Sequence, residues 1–288
     1  MNPTDSVSGP KLGLWQRASL IRGQAMAALN GRSGRYSRRL TLSLAVILIL
    51  TVSIALYAAV ACLSMTGYIL FDGMAWVDIA CNGLLLLLGL VFVLPLMGSL
   101  WRMACLMTAP DGEVVDGLPV SAPQVTLTEL FYPFTSLRAY GRTMAVMAES
   151  LLFLLAGLGV PILAFRLASH ILDGVADFPP LFRTLILAAV VFLGIGWGFL
   201  VFLISGCRAG LGYFVFVHEN MLLTDVYRYY RCFRRPLFPA FCLRVSLLGW
   251  VALSVAGICV PFVFHTIPYG LCCFAQYGRT LNRVESAP

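Results

Sequence analysis

Charge is what this chain has least of. Asp, Glu, Lys and Arg make up 11% of 288 residues, against about 25% in soluble domains. With 60% of residues hydrophobic, too few polar groups remain to solvate the surface of a soluble fold of this length. Lysine is nearly absent, Lys11 being the single copy against nineteen arginines. Histidine occurs three times, and the spacing of His170, His218 and His265 matches no metal-ligand pattern. His218-Glu219 lacks the second histidine of a zinc-protease motif, because Leu222 stands where it would be. No Walker A segment, nucleophile elbow or kinase signature occurs. Gly194-Ile195-Gly196-Trp197-Gly198 follows no strand, so it reads as small residues at a helix contact and not as a nucleotide loop. None of the nine cysteines forms a C-x-x-C pair, and most lie inside apolar runs. They read as small buried hydrophobes. No cofactor or metal is implied, and the chain reads as non-enzymatic.

Long apolar runs are abundant. Several reach roughly 20 residues, enough to cross a ~30 Å hydrocarbon layer as a helix. The expected class is therefore an all-α polytopic membrane helix bundle with about six transmembrane helices. The spans fall near 40–65, 77–100, 143–168, 181–205, 238–256 and 260–281. Residues 1–39 form an N-terminal segment and residues 282–288 a short tail. The first run starts near Leu40, is too long and too far into the chain for a signal-peptide core, and is expected to act as an uncleaved anchor.

The basic residues orient this arrangement. Lys11, Arg17, Arg22, Arg32, Arg35, Arg38 and Arg39 all precede the first run. Basic loops resist translocation, so this end is expected inside. With six spans, 18 of the 20 basic residues fall on that side, leaving Arg166 and Arg183 outside at span ends. Five spans would place two fewer inside, so the apolar stretch after Phe238 is read as a hairpin broken near Gly257–Pro261, with Pro261 in the first turn of the new helix. Both termini are then cytoplasmic, in a bacterial inner membrane. The net charge of +7 is spread over juxtamembrane loops, where anionic headgroups account for it; nucleic acid is not an expected partner.

Amphipathic segments are expected on the inner leaflet. Leu14, Ala18, Ile21, Ala25 and Leu29 recur at helical spacing. Leu130, Phe131, Phe134 and Leu137 are assigned to one side of a helical piece over 127–140. Between span two and this piece, Pro110, Pro119 and Pro123 mark a turn-rich stretch, and Pro95 is read as a breaker near the inner end of span two.

The last third carries Leu243-x-x-Ser246-Leu247-Leu248-Gly249-Trp250, Gly257-Ile258, Ile267-Pro268-Tyr269, Phe274 and Tyr277. With these it resembles the DUF975 family of uncharacterised bacterial and archaeal integral membrane proteins. Upstream, Ile21-Arg22, Ala25, Leu29-Asn30-Gly31 and the stretch Glu129 to Phe134 also fit. The chain departs from the family at His218-Glu219-Asn220-Met221 and Arg234-Arg235-Pro236. The resemblance implies the membrane architecture and brings no activity.

The candidate polar sites are few. Glu149 lies about two turns into span three, where an ionisable group points by default to function. Asp78 and Asn82, four residues apart near the outer end of span two, share a helix face. Arg228, Arg231, Arg234 and Arg235 lie among aromatics in a cytoplasmic segment and present a surface for acidic headgroups or an acidic partner. The leading reading is a protein acting through lipid, a membrane-protein partner or a second copy of itself. The alternative is a small-molecule transporter or channel subunit built around Glu149, since interrupted helices frequently form substrate sites.

Overall fold

The computed structural model describes residues 13–33, 36–70, 75–108, 114–115, 118–119, 125–174, 179–205, 215–216, 224, 237–256 and 261–285. It is an all-α helix bundle. The helices are α1 (Leu14–Asn30), α2 (Arg38–Leu70), α3 (Ala75–Leu88), α4 (Leu94–Thr108), α5 (Leu137–Leu154), α6 (Val160–Asp173), α7 (Pro180–Ser205), α8 (Leu237–Ala256) and α9 (Ile267–Glu285). Two small antiparallel ladders join them: Arg32–Ser33 with Tyr36–Ser37, and Val114–Val115 with Leu118–Pro119. The second falls in the turn-rich stretch expected around Pro119.

Among the described residues, four helical stretches are long and apolar enough to cross a membrane: Arg38–Ile69, Ile79–Thr108, Leu137–Asp173 and Pro180–Val201. They cover the first four expected spans and overrun most of them. The last two expected spans fall on α8, with the apolar stretch Ala240–Ser254 among its described residues, and on α9; the described residues of neither reach the length and hydropathy of a span. Residues 257–260, where the sequence places the break between them, lie outside the described residues; the chain is helical up to Ala256 and again from Pro261.

Three prolines shape the helices in one recurring way. Proline has no N–H to give the carbonyl four residues back, and its ring collides with that carbonyl. Each of Pro95, Pro161 and Pro268 is preceded by a five-residue π-helical turn ending two residues earlier: Gly89–Val93, Leu155–Gly159 and Phe262–Thr266. The wider turn relieves the collision and turns carbonyls toward neighbours. In hydrocarbon a freed carbonyl needs a partner. The Tyr140 hydroxyl donates to the Val91 carbonyl at 3.2 Å, and Trp197 Nε1 donates to the Ala156 carbonyl at 2.7 Å. Pro95 is therefore a π bulge within a continuing helix and not a terminus. Residues 101–108, expected in a loop, are helical, with Met103, Ala104 and Met107 buried.

Glycines set the closest helix contacts. On α7, Gly194 faces Pro161, and Gly198 faces the Gly157 carbonyl. This is small-residue packing at i, i+4 spacing. Gly196 has nothing nearby, so two of the three expected glycines serve the contact. Gly98 of α4 meets Thr143 and Met147 of α5, and Gly67 of α2 meets Val77 of α3.

The buried core is concentrated where α1, the start of α2, the C-terminal half of α4, the start of α8 and α9 meet. This basic end corrects one expectation. The stripe Ala18, Ile21, Ala25 and Leu29 is buried at 0–6% exposure, packed on α8 and α9. Leu14, read as the first member of the stripe, is exposed at the helix start; the other four follow the expected periodicity, but they meet protein where a lipid surface was expected. The 127–140 piece is corrected too. It is a 3₁₀ helix, Leu127–Phe134, and α5 starts separately at Leu137 behind the cap of Ser136, whose hydroxyl accepts from the Ala139 N–H at 3.1 Å. Residues three apart align in a 3₁₀ helix, so Leu130 and Pro133 are buried. Phe131, Phe134 and Leu137 are exposed.

Candidate functional site

Among the described residues, the basic end gathers several side-chain hydrogen bonds between helices. Asn30-Gly31 ends α1 and leaves its last carbonyls without intrahelical donors. The chain turns through the first small ladder and enters α2 at Arg38, whose N–H donates to the Gly31 carbonyl at 3.1 Å. Arg38 Nη1 then donates to two helix ends at once, the Ala28 carbonyl at 3.2 Å and the Met107 carbonyl at 3.1 Å. Its guanidinium sits 3.0–3.1 Å from where a Cβ on Gly31 would be, so glycine is what admits it. Arg279 Nη1 donates to the neighbouring Thr108 carbonyl at 3.2 Å. Cations at helix C-termini complement the macrodipole, each by about 0.3–1 kcal/mol. Arg39 Nη2 reaches Asn30 Oδ1 at 3.2 Å and Met26 Sδ at 3.4 Å. Gln276 Nε2 donates to Gln24 Oε1 at 2.7 Å, tying α9 to α1.

Two further arginines serve as ties. Arg102 of α4 forms an ion pair with Glu129 of the 3₁₀ helix and stacks 3.7 Å from the Tyr132 ring centroid. Arg142 of α5, 3% exposed, donates to the Val215 carbonyl at 3.4 Å. Positive charge that reads as topological in the sequence is thus also structural. The signal for it was present: Asn-Gly marks a helix end, and an arginine follows within reach. In the sequence Arg38 and Arg39 stand out only as basic residues before the first span.

An aromatic cluster joins α8 to the start of α9 around His265. Trp250 of α8 lies 4.5 Å, ring centre to ring centre, from His265 and 6.3 Å from Tyr269; His265 stacks on Tyr269 at 5.6 Å. The Ser254 and Thr266 hydroxyls are hydrogen-bonded beside them. Arg39 lies within electrostatic range of His265, and Arg22 within range of Tyr269.

Of the expected site residues, Glu149 and Asn82 have described side chains, and they lie on different helices. Glu149 is half-buried on α5, about 18 Å along the axis from Leu137 at 1.5 Å per residue. Asn82 is exposed on α3, one turn from Asp78, whose side chain lies outside the described residues. Arg228, Arg231, Arg234 and Arg235 lie outside the described residues as well. Among the described residues no three His, Cys, Asp or Glu side chains group as metal ligands, and Cys62, Cys81, Cys105, Cys242, Cys272 and Cys273 are free thiols. An open apolar groove runs between α6 and α7, lined by Gly157, Pro161, Phe165, Val190, Gly194 and Ile195. Glu149 does not line it.

No family model, curated protein or solved structure matches this chain.

Proposed function

We propose that this chain is a non-enzymatic integral membrane protein that acts by contact with another membrane protein or a second copy of itself, through the outward face of α6 and α7. The observation that carries the reading is how little of that region the chain covers. In the most apolar windows of Leu137–Asp173 and Pro180–Val201, 6% of residues are buried. Leu163, Phe192, Leu193 and Ile195 are exposed by 67% or more. Lipid satisfies such a face, but helices paired through small residues also make a firm platform for a third helix. In the same proposal the basic end faces the cytoplasm of a bacterial cell, and the DUF975 resemblance supports the membrane architecture.

The test is photo-crosslinking from Leu163, Phe192 and Leu193 in cell membranes. The expected result is an adduct of one defined mass at these positions and not at outward positions of α2 such as Ile54. Even labelling of all outward positions by bulk lipid would overturn the reading. A transporter built on Glu149 is the second reading, favoured by the depth of that residue along α5. It requires that Glu149→Gln abolish a proton-coupled flux in proteoliposomes.

A further inference from the structure

We infer that the basic end binds a phosphate group, from a lipid headgroup or a free phosphate ester, against Arg22, Arg38 and Arg39. The site lies elsewhere than the α6–α7 face, so the two proposals fail independently. The placement comes first. Arg22, Met26 and Asn30 are four residues apart along α1 and share one side of it. Arg39 crosses to that side, bonding Met26 and Asn30. Arg38, its chain neighbour, closes the C-terminal end of α1.

The charge balance comes second. Guanidinium groups do not deprotonate in proteins, so their burial cannot be relieved by neutralisation. The acceptors of Arg38 and Arg39 are carbonyls, an amide and a thioether, all uncharged. Among the described residues, none of the three arginines pairs with a carboxylate; Glu129 pairs with Arg102, and Asp173 with Arg183. The ends of α1 and α4 supply about half a negative charge each, which leaves about two of three positive charges uncompensated. Donors are also unspent. Arg22 Nε and Arg38 Nε are buried and have no hydrogen-bond partner. A phosphate offers several acceptor oxygens in the geometry that a guanidinium fork matches.

The depth comes third. Arg38 and Arg39 open the long apolar helix Arg38–Ile69. A membrane crossed by that helix has its headgroup phosphates at this level, where each arginine strengthens binding to anionic lipid roughly fivefold.

The experiment uses the full chain in nanodiscs and in neutral micelles. One arm measures retention of phosphatidylglycerol over phosphatidylcholine by native mass spectrometry. The other titrates inorganic phosphate calorimetrically in phosphatidylcholine-only discs. Preference for phosphatidylglycerol with no phosphate heat assigns the lipid source, and the reverse assigns a free ester. In either case R22Q/R39Q should weaken binding about thirtyfold, while R183Q at the far end should leave it unchanged. If R22Q/R39Q does not fold, R39K serves in its place, keeping the charge, losing the fork and binding more weakly than native. The proposal is overturned if the native chain prefers neither probe, or if the arginine variants bind as the native chain does. It is also overturned if binding appears only in D111N/E113Q/D116N, because those acids, outside the described residues, would then be the arginines' counter-charge.

Discussion

Gly98→Ala is a demanding test of the α4–α5 contact, because two opposing effects can be compared. In an isolated helix the substitution is favourable by about 1 kcal/mol. Here the new Cβ would lie 2.3 Å from Thr143 Cγ2 and 3.0 Å from Met147 Cγ. Carbon atoms settle at about 3.5–4.0 Å, so the first contact overlaps by more than ~1 Å. Thr143 cannot easily turn aside. It is fully buried, and its hydroxyl donates to the Ala139 carbonyl at 2.9 Å, a bond worth about 1 kcal/mol net. Separating the helices instead sacrifices packing. Overpacking of this kind costs about 1–3 kcal/mol, so the net expectation is a loss of about 1 kcal/mol despite the better helix former. Thr143→Ser keeps the hydroxyl and removes Cγ2, costing about 1 kcal/mol for the buried methyl. In that background Gly98→Ala should become neutral or stabilising, since the end of Met147 can move. The double-mutant coupling is then about 2 kcal/mol. Unfolding by dodecyl sulfate in mixed micelles, followed by tryptophan fluorescence, measures it. If Gly98→Ala costs the same in both backgrounds, the assigned contact is wrong.

Trp197→Phe should lower stability by about 1–2 kcal/mol in the same titration, because the Ala156 carbonyl loses its donor where no water replaces it. In a Pro161→Ala background, where the helix can restore its own donor, the loss should shrink. Gly31→Val should displace the Arg38 guanidinium from the end of α1 and free that helix from α4. Limited trypsin digestion should then cut at Arg17 and Arg22 at least tenfold faster than in the native chain; equal rates would show that Arg38 does not hold α1.

The places where sequence reasoning went astray have local causes. The stripe Ala18 to Leu29 is legible as apolar, but periodicity cannot say whether a stripe meets lipid or protein, and α9 covers it through contacts some 250 residues away in sequence. Leu130 to Leu137 was placed on one side of a helix by an assumed 3.6-residue period. The segment contains Pro133 and winds with three residues per turn, which exchanges the buried positions. Pro95 reads as an end because proline cannot donate the regular helical bond, but Tyr140, 49 residues after Val91, supplies a donor to the freed Val91 carbonyl. Of the candidate site, Glu149, Asp78 and Asn82 were visible as polar residues in apolar runs. The arginine cluster was visible only as charge.

What the sequence by itself determined is the class of protein. A chain with so little charge and several apolar runs of membrane length has no soluble solution, and the first four of its six expected spans recur among the described residues as long apolar helices. The all-α fold follows as well, because helices satisfy every backbone group within the segment. What only the tertiary structure decided is where the positive charge goes. In the sequence the arginines are a count on one side of a membrane. In the fold Arg38, Arg39, Arg102, Arg142 and Arg279 each find particular acceptors on other segments; Arg38 and Arg279 do so because helix ends expose carbonyls that no local residue can reach. Which helix ends meet is set by long-range packing at Gly31, Gly98 and the α1 stripe, and no local pattern in the chain encodes it.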